Sequence, residues 1–161
     1  MRKQPQQQRA KKIVDDILEA TQLCIAEQGI MQITTPKIAE KSGVSVGSIY
    51  QYFENKDEII QELLRRKSEN LGMAFKQIAI AQENLTLAEI VPISIQFGFD
   101  MMKADDGFFM EVLKHWHGYN NSEAAQILEK HFFEVGMYVF NRYFQHWNFE
   151  TLRNKSFVII N

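Results

Sequence analysis

Long apolar runs are missing from this 161-residue chain, although apolar residues make up 45% of it. No stretch approaches the roughly 18 consecutive apolar residues that a membrane-spanning helix needs. Cysteine occurs once, at Cys24, which excludes an internal disulfide framework and fits a reducing, cytoplasmic setting. Prolines number only three, and no segment alternates strongly with the period of two that marks a half-buried strand, so the expected fold class is all-α. The charged start "MRKQPQQQRAKK" has no apolar segment behind it and does not read as a secretory signal. Internal repeats, a glycine-rich phosphate loop, a catalytic serine motif and a paired-carboxylate signature are all absent, so no enzyme is expected. His115, His117, His131 and His146 form no preformed pair, because positions two apart point to different sides of a helix. Neither a metal nor another cofactor is expected.

What is present is core-forming material, with 12 Phe, 7 Met and 2 Trp in a length that suits one domain or a small module fused to a larger one. The net charge of −2 is unevenly spread. Residues 1–67 carry 11 Lys and Arg against 9 Asp and Glu, whereas residues 68–161 carry 7 against 11. Arg2, Lys3, Arg9, Lys11 and Lys12 form a basic arm without an acid, suited to tracking nucleic acid or simply to solvation.

Capping chemistry divides the chain. Ile13, Ile17, Ala20 and Cys24 form the buried stripe of a first helix, closed by Gly29. Thr35 followed by Pro36 predicts the start of a second helix, which Gly43 ends. Ser45 caps a third through Tyr52 or Phe53, and Asn55 with Glu58 makes a capping box for a long fourth helix. Thr86 with Glu89 opens a fifth that contains Pro92, where a kink is expected. Asp105 or Asp106 is expected to cap a sixth, and Ser122 a long seventh from Glu123 to about Gln145. Residues 149–161 read as one more helix, whose apolar end predicts that the native chain continues.

The stretch "TTPKIAEKSGVSVGSIYQYFENKDEI" is therefore two short helices around a glycine corner, a helix-turn-helix. Ile38, Val44 and Ile49 bind the pair to the first helix. Ala39 is small at the crossing, and Gly43 turns the chain. Val46, Gly47, Ser48, Gln51 and Tyr50 or Tyr52 are left facing outwards. Gln51 suits an adenine edge, and the hydroxyls of Ser45, Ser48 and the tyrosines suit phosphates. Tyr50 is balanced between partial packing in the core and base contact.

"ITTPKIAEKSGVSVGSIYQYFENKDEII" resembles the DNA-binding domain of the TetR family of bacterial transcriptional regulators, over about residues 9–65. The resemblance implies that Val46 to Tyr52 is the recognition helix and that Lys37 lies near the groove edge. It also implies phosphate contacts from Thr34 or Thr35, from Tyr52 and from Lys56, with the helix dipole assisting at Lys56. Lys11 and Lys12 of the arm are expected to displace counterions along with Lys37 and Lys56.

The family's C-terminal part encloses a small-molecule pocket and supplies a dimer interface. Phe97, Met101, Met102, Phe108, Phe109, Trp116 and Tyr119 suit either an adaptable apolar pocket or an ordinary core. On the seventh helix, Leu128, Phe132, Val135 and Val139 form one stripe. Phe133, Met137, Phe140 and Phe144, continuing to Trp147, form a second that suits a partner subunit.

The expectation is a basic arm and helix-turn-helix domain over 1–58, followed by a helical-bundle ligand-binding and dimerisation domain over 59–161. The implied function is a homodimeric repressor, released from a palindromic double-stranded DNA operator by a small apolar or aromatic effector. The alternative is a ligand-independent nucleoid-associated or cell-division protein on the same fold.

Overall fold

The computed structural model describes residues 8–81, 84–104, 107–119 and 121–144, and the regular elements within them are all helical. The order is α1 (Gln8–Gln28), α2 (Thr35–Ser42), α3 (Val46–Tyr52), α4 (Lys56–Ala81), α5 (Leu87–Ala104), α6 (Phe108–Lys114), a 3-10 turn (Trp116–Gly118) and α7 (Glu123–Phe144). Among them no helix is long and apolar enough to cross a membrane.

Local chemistry explains most boundaries. Gly29, at φ 81°, ends α1 with its N–H donated to the Ile25 carbonyl at 2.8 Å. The N-cap of α2 is Thr34, whose hydroxyl accepts the Lys37 N–H at 3.5 Å, and not Thr35 as the sequence suggested. Pro36 needs no hydrogen-bonded N–H anywhere in the first turn, so it allows either threonine to cap. The apolar face decides between them, since Thr35 is buried three residues before fully buried Ile38. Ser45 caps α3 by accepting the Ser48 N–H at 3.1 Å. At α4, Asn55 accepts the Glu58 N–H at 2.9 Å, while the Glu58 carboxylate reaches back to the Glu54 N–H at 2.6 Å.

The later helices follow the same logic with two differences. Glu89 accepts both the N–H and the hydroxyl of Thr86, at 2.8 and 2.7 Å, and these bonds hold its carboxyl below the usual pKa. Pro92 lies within α5, which continues through it to Ala104. The start of α6 is set by Gly107, at φ 85° and without a side-chain cap; Asp105 and Asp106 lie outside the described residues. Ser122 caps α7 by accepting the Ala125 N–H at 3.2 Å, and the helix expected over 149–161 lies outside the described residues.

One apolar core joins α1, α2, α3 and the first half of α4. Ile17, Ile25, Ile33, Ile38, Ile49, Phe53 and Ile59 are fully enclosed in it. At about 1.5–3 kcal/mol for each side chain of this size, burial here dominates local stability. Phe108 and Val112 of α6 and Ala124 of α7 belong to the same cluster. Phe108 is therefore a core residue packed under α1, a correction to its reading as pocket lining. Salt links reinforce the junction, with Arg66 bonded to Asp15 of α1 at 2.5 Å and to Glu62 at 2.8 Å. Burial works against the charge on Glu62, but hydrogen bonds from Arg65 and Arg66 outweigh it and keep its carboxyl below the usual value.

Farther along, α4 packs mainly on α7. The two helices approach closely at Gly72, where an added β-carbon would stand 2.2 Å from the His131 ring. Among the described residues, His131 Nδ1 is buried without a hydrogen-bond partner, and its Nε2 is 3.7 Å from Glu69.

Candidate nucleic-acid interface

The two short helices meet at Gly43, whose φ of 68° is left-handed and favours glycine. Ser42 braces the corner by accepting the Val44 N–H at 3.2 Å and donating to the Ala39 carbonyl at 3.3 Å. Ile38 and Ile49 point inward and are fully buried, with Ala39 and Val44 partly buried beside them. That packing fixes which face of α3 remains outside.

Ser45, Gly47, Tyr50 and Gln51 are exposed, and Val46 and Ser48 half-buried. The hydroxyls of Ser45 and Ser48 lie 2.8 Å apart. Among the described residues a β-carbon added at Gly47 would meet nothing within 4 Å, so the absent side chain leaves room on the surface of α3 rather than filling an internal gap. Tyr50 is 44% exposed. Tyr52 is 9% exposed, so its ring belongs to the core; this corrects the reading that left open which tyrosine faces outwards. The i, i+3 relation of Tyr52 to Ile49 already carried that information.

Thr34, Lys37 and Lys56 come together around the loop between α1 and α2. Lys37 donates to the Gln32 carbonyl at 3.0 Å and to the Gln28 side chain, while Lys56 donates to the Ile33 carbonyl at 3.2 Å. An ammonium has three donors, so these bonds position each lysine and leave N–H capacity for an anion. Lys41, which the sequence reading did not single out, pairs with Glu27. Thr34 is exposed whereas Thr35 is buried, so Thr34 presents the accessible hydroxyl of the pair. Lys11 and Lys12 are exposed in the first turn of α1, roughly 25 Å along the helix axis from Gln28, and Lys12 is bonded to Asp16 at 2.8 Å. Arm and loop lysines are therefore two separate groups of positive charge.

The residues expected to form a pocket are dispersed. Phe97 stands edge-on to Phe75 of α4 at 5.1 Å, and Phe75 in turn meets Phe132 of α7 at 5.3 Å. Phe108 and Phe109 pack together at 5.7 Å, with Phe109 and Tyr119 half-buried against the core. Met101 is half-buried, and the side chains of Met102 and Trp116 lie outside the described ones. A cleft of about 420 Å³ lies elsewhere, lined by polar residues including Asn55, Asp57, Glu62, Arg65 and Glu123. No group of three or more His, Cys, Asp and Glu comes together among the described residues. On α7, Phe133, Met137 and Phe140 are exposed and Phe144 is half-buried, ring to ring with Phe140 at 5.7 Å.

A capped short helix with an open polar face, held on a three-helix core, is a module of the helix-turn-helix class. Residues 17–63 match the family model described as bacterial regulatory proteins, tetR family. Over its helix-turn-helix region the chain is similar to TetR-family transcriptional regulators. It is 39% identical over 75 residues to the fatty acid metabolism regulator protein of Bacillus subtilis (strain 168), covering 44% of this chain and 39% of that protein. It is 24% identical over 102 residues to the HTH-type transcriptional repressor KstR2 of Rhodococcus jostii (strain RHA1), covering 62% of this chain and 50% of the relative. The chain thus spans half or less of the length of these two relatives. In fold it is similar to the fatty acid degradation regulator FadR from Bacillus halodurans, with a TM-score of 0.60 at 24% identity, covering 91% of this chain and 79% of that structure.

Proposed function

We propose that this chain acts as a homodimeric repressor that reads a palindromic operator with α3 and leaves it when a small apolar or aromatic effector binds. The observation that carries the DNA reading is the outer face of α3, where exposed Tyr50 and Gln51 flank the space left by Gly47. Gln51 reads a base edge, Ser45, Ser48 and Thr34 serve phosphates, and Lys11, Lys12, Lys37 and Lys56 neutralise the backbone. The second subunit covers Phe133, Met137, Phe140 and Phe144, since an exposed apolar stripe of this kind is the pattern of a subunit contact. The proposed division places DNA binding in 1–58 and the effector and dimer functions in 59–161. Coupling passes through α4, which packs on both α1 and α7. An apolar effector agrees in kind with two relatives whose names refer to fatty acid metabolism and fatty acid degradation.

Selection of random duplex DNA tests this reading. A palindromic motif is expected, with affinity falling steeply between low and moderate salt. Phe140→Asp is expected to yield monomers in sedimentation and to abolish selection of the paired half-sites. A dimer that survives this change, or binding insensitive to salt, overturns the corresponding assignment. Calorimetry of operator binding with a panel of hydrophobic compounds tests release, and unchanged operator affinity across compounds that bind favours the ligand-independent alternative. That alternative draws on a 26% match over 107 residues to the nucleoid occlusion factor SlmA of Haemophilus ducreyi.

A further inference from the structure

The loop between α1 and α2 presents the carbonyls on which two lysines rest. Gln32 accepts Lys37 at 3.0 Å, and Ile33 accepts Lys56 at 3.2 Å. What holds the loop itself comes from much later in the chain. Glu111, in the middle of α6, accepts the Ile30 N–H with its carboxylate. Ile30 is 2% exposed, so this N–H is shut away from water and needs an acceptor within the protein. Gly29 makes the room, since an added β-carbon there would stand 3.0 Å from Glu111 Oε2. The Gly29 carbonyl in turn accepts the Gln32 N–H at 3.1 Å, so the held turn runs directly into the carbonyl under Lys37. Phe108 and Val112, to either side of Glu111 in α6, are buried in the core shared with α1, which fixes where the carboxylate stands. Hydrogen bonding from Lys114 chiefly, with a smaller part from Ile30, keeps the carboxyl below its usual pKa, so it is ionised and accepting near neutrality.

We propose that Glu111 is a positioning residue for DNA binding, which holds the turn after α1 so that Lys37 and Lys56 stand where phosphates meet them; this rests on the phosphate role proposed above for the two lysines. The carboxylate itself touches no DNA. It acts through the Ile30 N–H, the turn from Gly29 to Gln32 and the two carbonyls beyond it. The sign of its effect separates this role from plain electrostatics. Removing a negative charge near a DNA-binding face raises the positive field and strengthens binding. Removing a positioning carboxylate weakens it. A carboxamide tells the two apart, because Glu111→Gln takes away the charge and keeps an oxygen for the Ile30 N–H.

Two measurements on the full chain and its Glu111→Ala and Glu111→Gln variants test this. Amide hydrogen exchange at Ile30 reads the loop without any DNA. Glu111→Ala is expected to speed it by about tenfold, and Glu111→Gln to return it close to the parent rate. Binding to the duplex that the parent chain selects from random DNA reads the lysines. Glu111→Ala should weaken it about three- to tenfold and lower its salt dependence by about one to two counterions. Glu111→Gln should bind as well as the parent or better. With Lys37→Ala and Lys56→Ala already in place, Glu111→Ala should have no further effect on affinity. Ile30 exchange unmoved by Glu111→Ala overturns the proposal. So does equal weakening with and without the two lysines, which marks a general loss of fold, and so does stronger binding by Glu111→Ala, which marks simple charge. A parent chain that selects no duplex overturns the DNA reading and the lysine part of the proposal, while Ile30 exchange still decides the loop part. Circular dichroism of each variant shows that the fold is retained.

Discussion

The two ends of the described chain solve burial in opposite ways. In α1 to α3 nearly every large apolar side chain is enclosed, and of the exceptions Tyr50 lies on the outer face of α3. In α5 and α7 the largest apolar groups are outside, with Phe133 70% exposed, Phe99 57% and Phe132 52%. The first region is a closed core, completed within the chain by α4 and by Phe108, Val112 and Ala124. The second leaves surface for other chain segments, a second subunit or an effector, and its stability is tied to what covers it. Under the proposed division, the first region keeps one geometry to read a groove and the second responds to what binds it.

The sharpest break in this comparison comes from paired truncations. Ile49→Ala is expected to cost about 2–5 kcal/mol in chemical denaturation, at any protein concentration, because it opens a cavity in a closed core. Phe133→Ala is expected to show a cost that grows with protein concentration if its side chain is covered on association, as proposed. Equal, concentration-independent losses at both positions would erase the distinction.

The junction between α4 and α7 comes next in size. Gly72→Ala sets a methyl group 2.2 Å from the His131 ring, so helix or ring must shift, at about 1–3 kcal/mol. Gly72→Ala combined with His131→Ala should cost much less than the sum of the two single changes. Additive losses would mean that the strain is taken up elsewhere.

How far these features were legible in the sequence follows from their range. Gly29, Gly43, Ser45, Asn55 with Glu58, Thr86 with Glu89, and Ser122 act within four residues of themselves, and each boundary they mark is found. Thr35 misled because two adjacent threonines satisfy the same local rule and burial chooses between them. The partners of Lys37 and Lys56 depend on carbonyls that only the folded loop presents. Lys56 reaches 23 residues back to Ile33. Phe108 joins a core some 50 to 90 residues earlier in the chain, and the fit of His131 over Gly72 spans two helices; no local pattern encodes either. The pocket was the feature least legible in the sequence, since aromatic and methionine density is shared by cores and cavities alike.

A smaller effect concerns pH. The Glu62 carboxyl sits below its usual range in the folded chain, so its stabilising contribution is complete above the unfolded-state value and is lost as pH falls through the folded one. Glu62→Gln should therefore lower stability near neutrality and flatten the acid limb of the stability profile below about pH 4.5. A parallel shift at every pH would show that the loss comes from packing rather than from charge.

The smallest expected change in stability bears most directly on function. Gly47 is near the start of α3, and among the described residues nothing stands within 4 Å of a β-carbon placed there. Gly47→Ala should therefore leave the fold intact and raise its stability by about 0.5–1 kcal/mol, the ordinary gain from replacing glycine in a helix. If α3 enters a groove with this face, the same methyl group is pressed against bases or sugars and holds Gln51 and the Ser45–Ser48 pair away from theirs. Operator binding should then weaken by on the order of 1–3 kcal/mol, comparable to losing one good base contact. A more stable but weaker-binding variant separates the glycine's role in recognition from any role in folding. Unchanged affinity for the selected operator would move the reading face away from Gly47 and around α3 towards Tyr50.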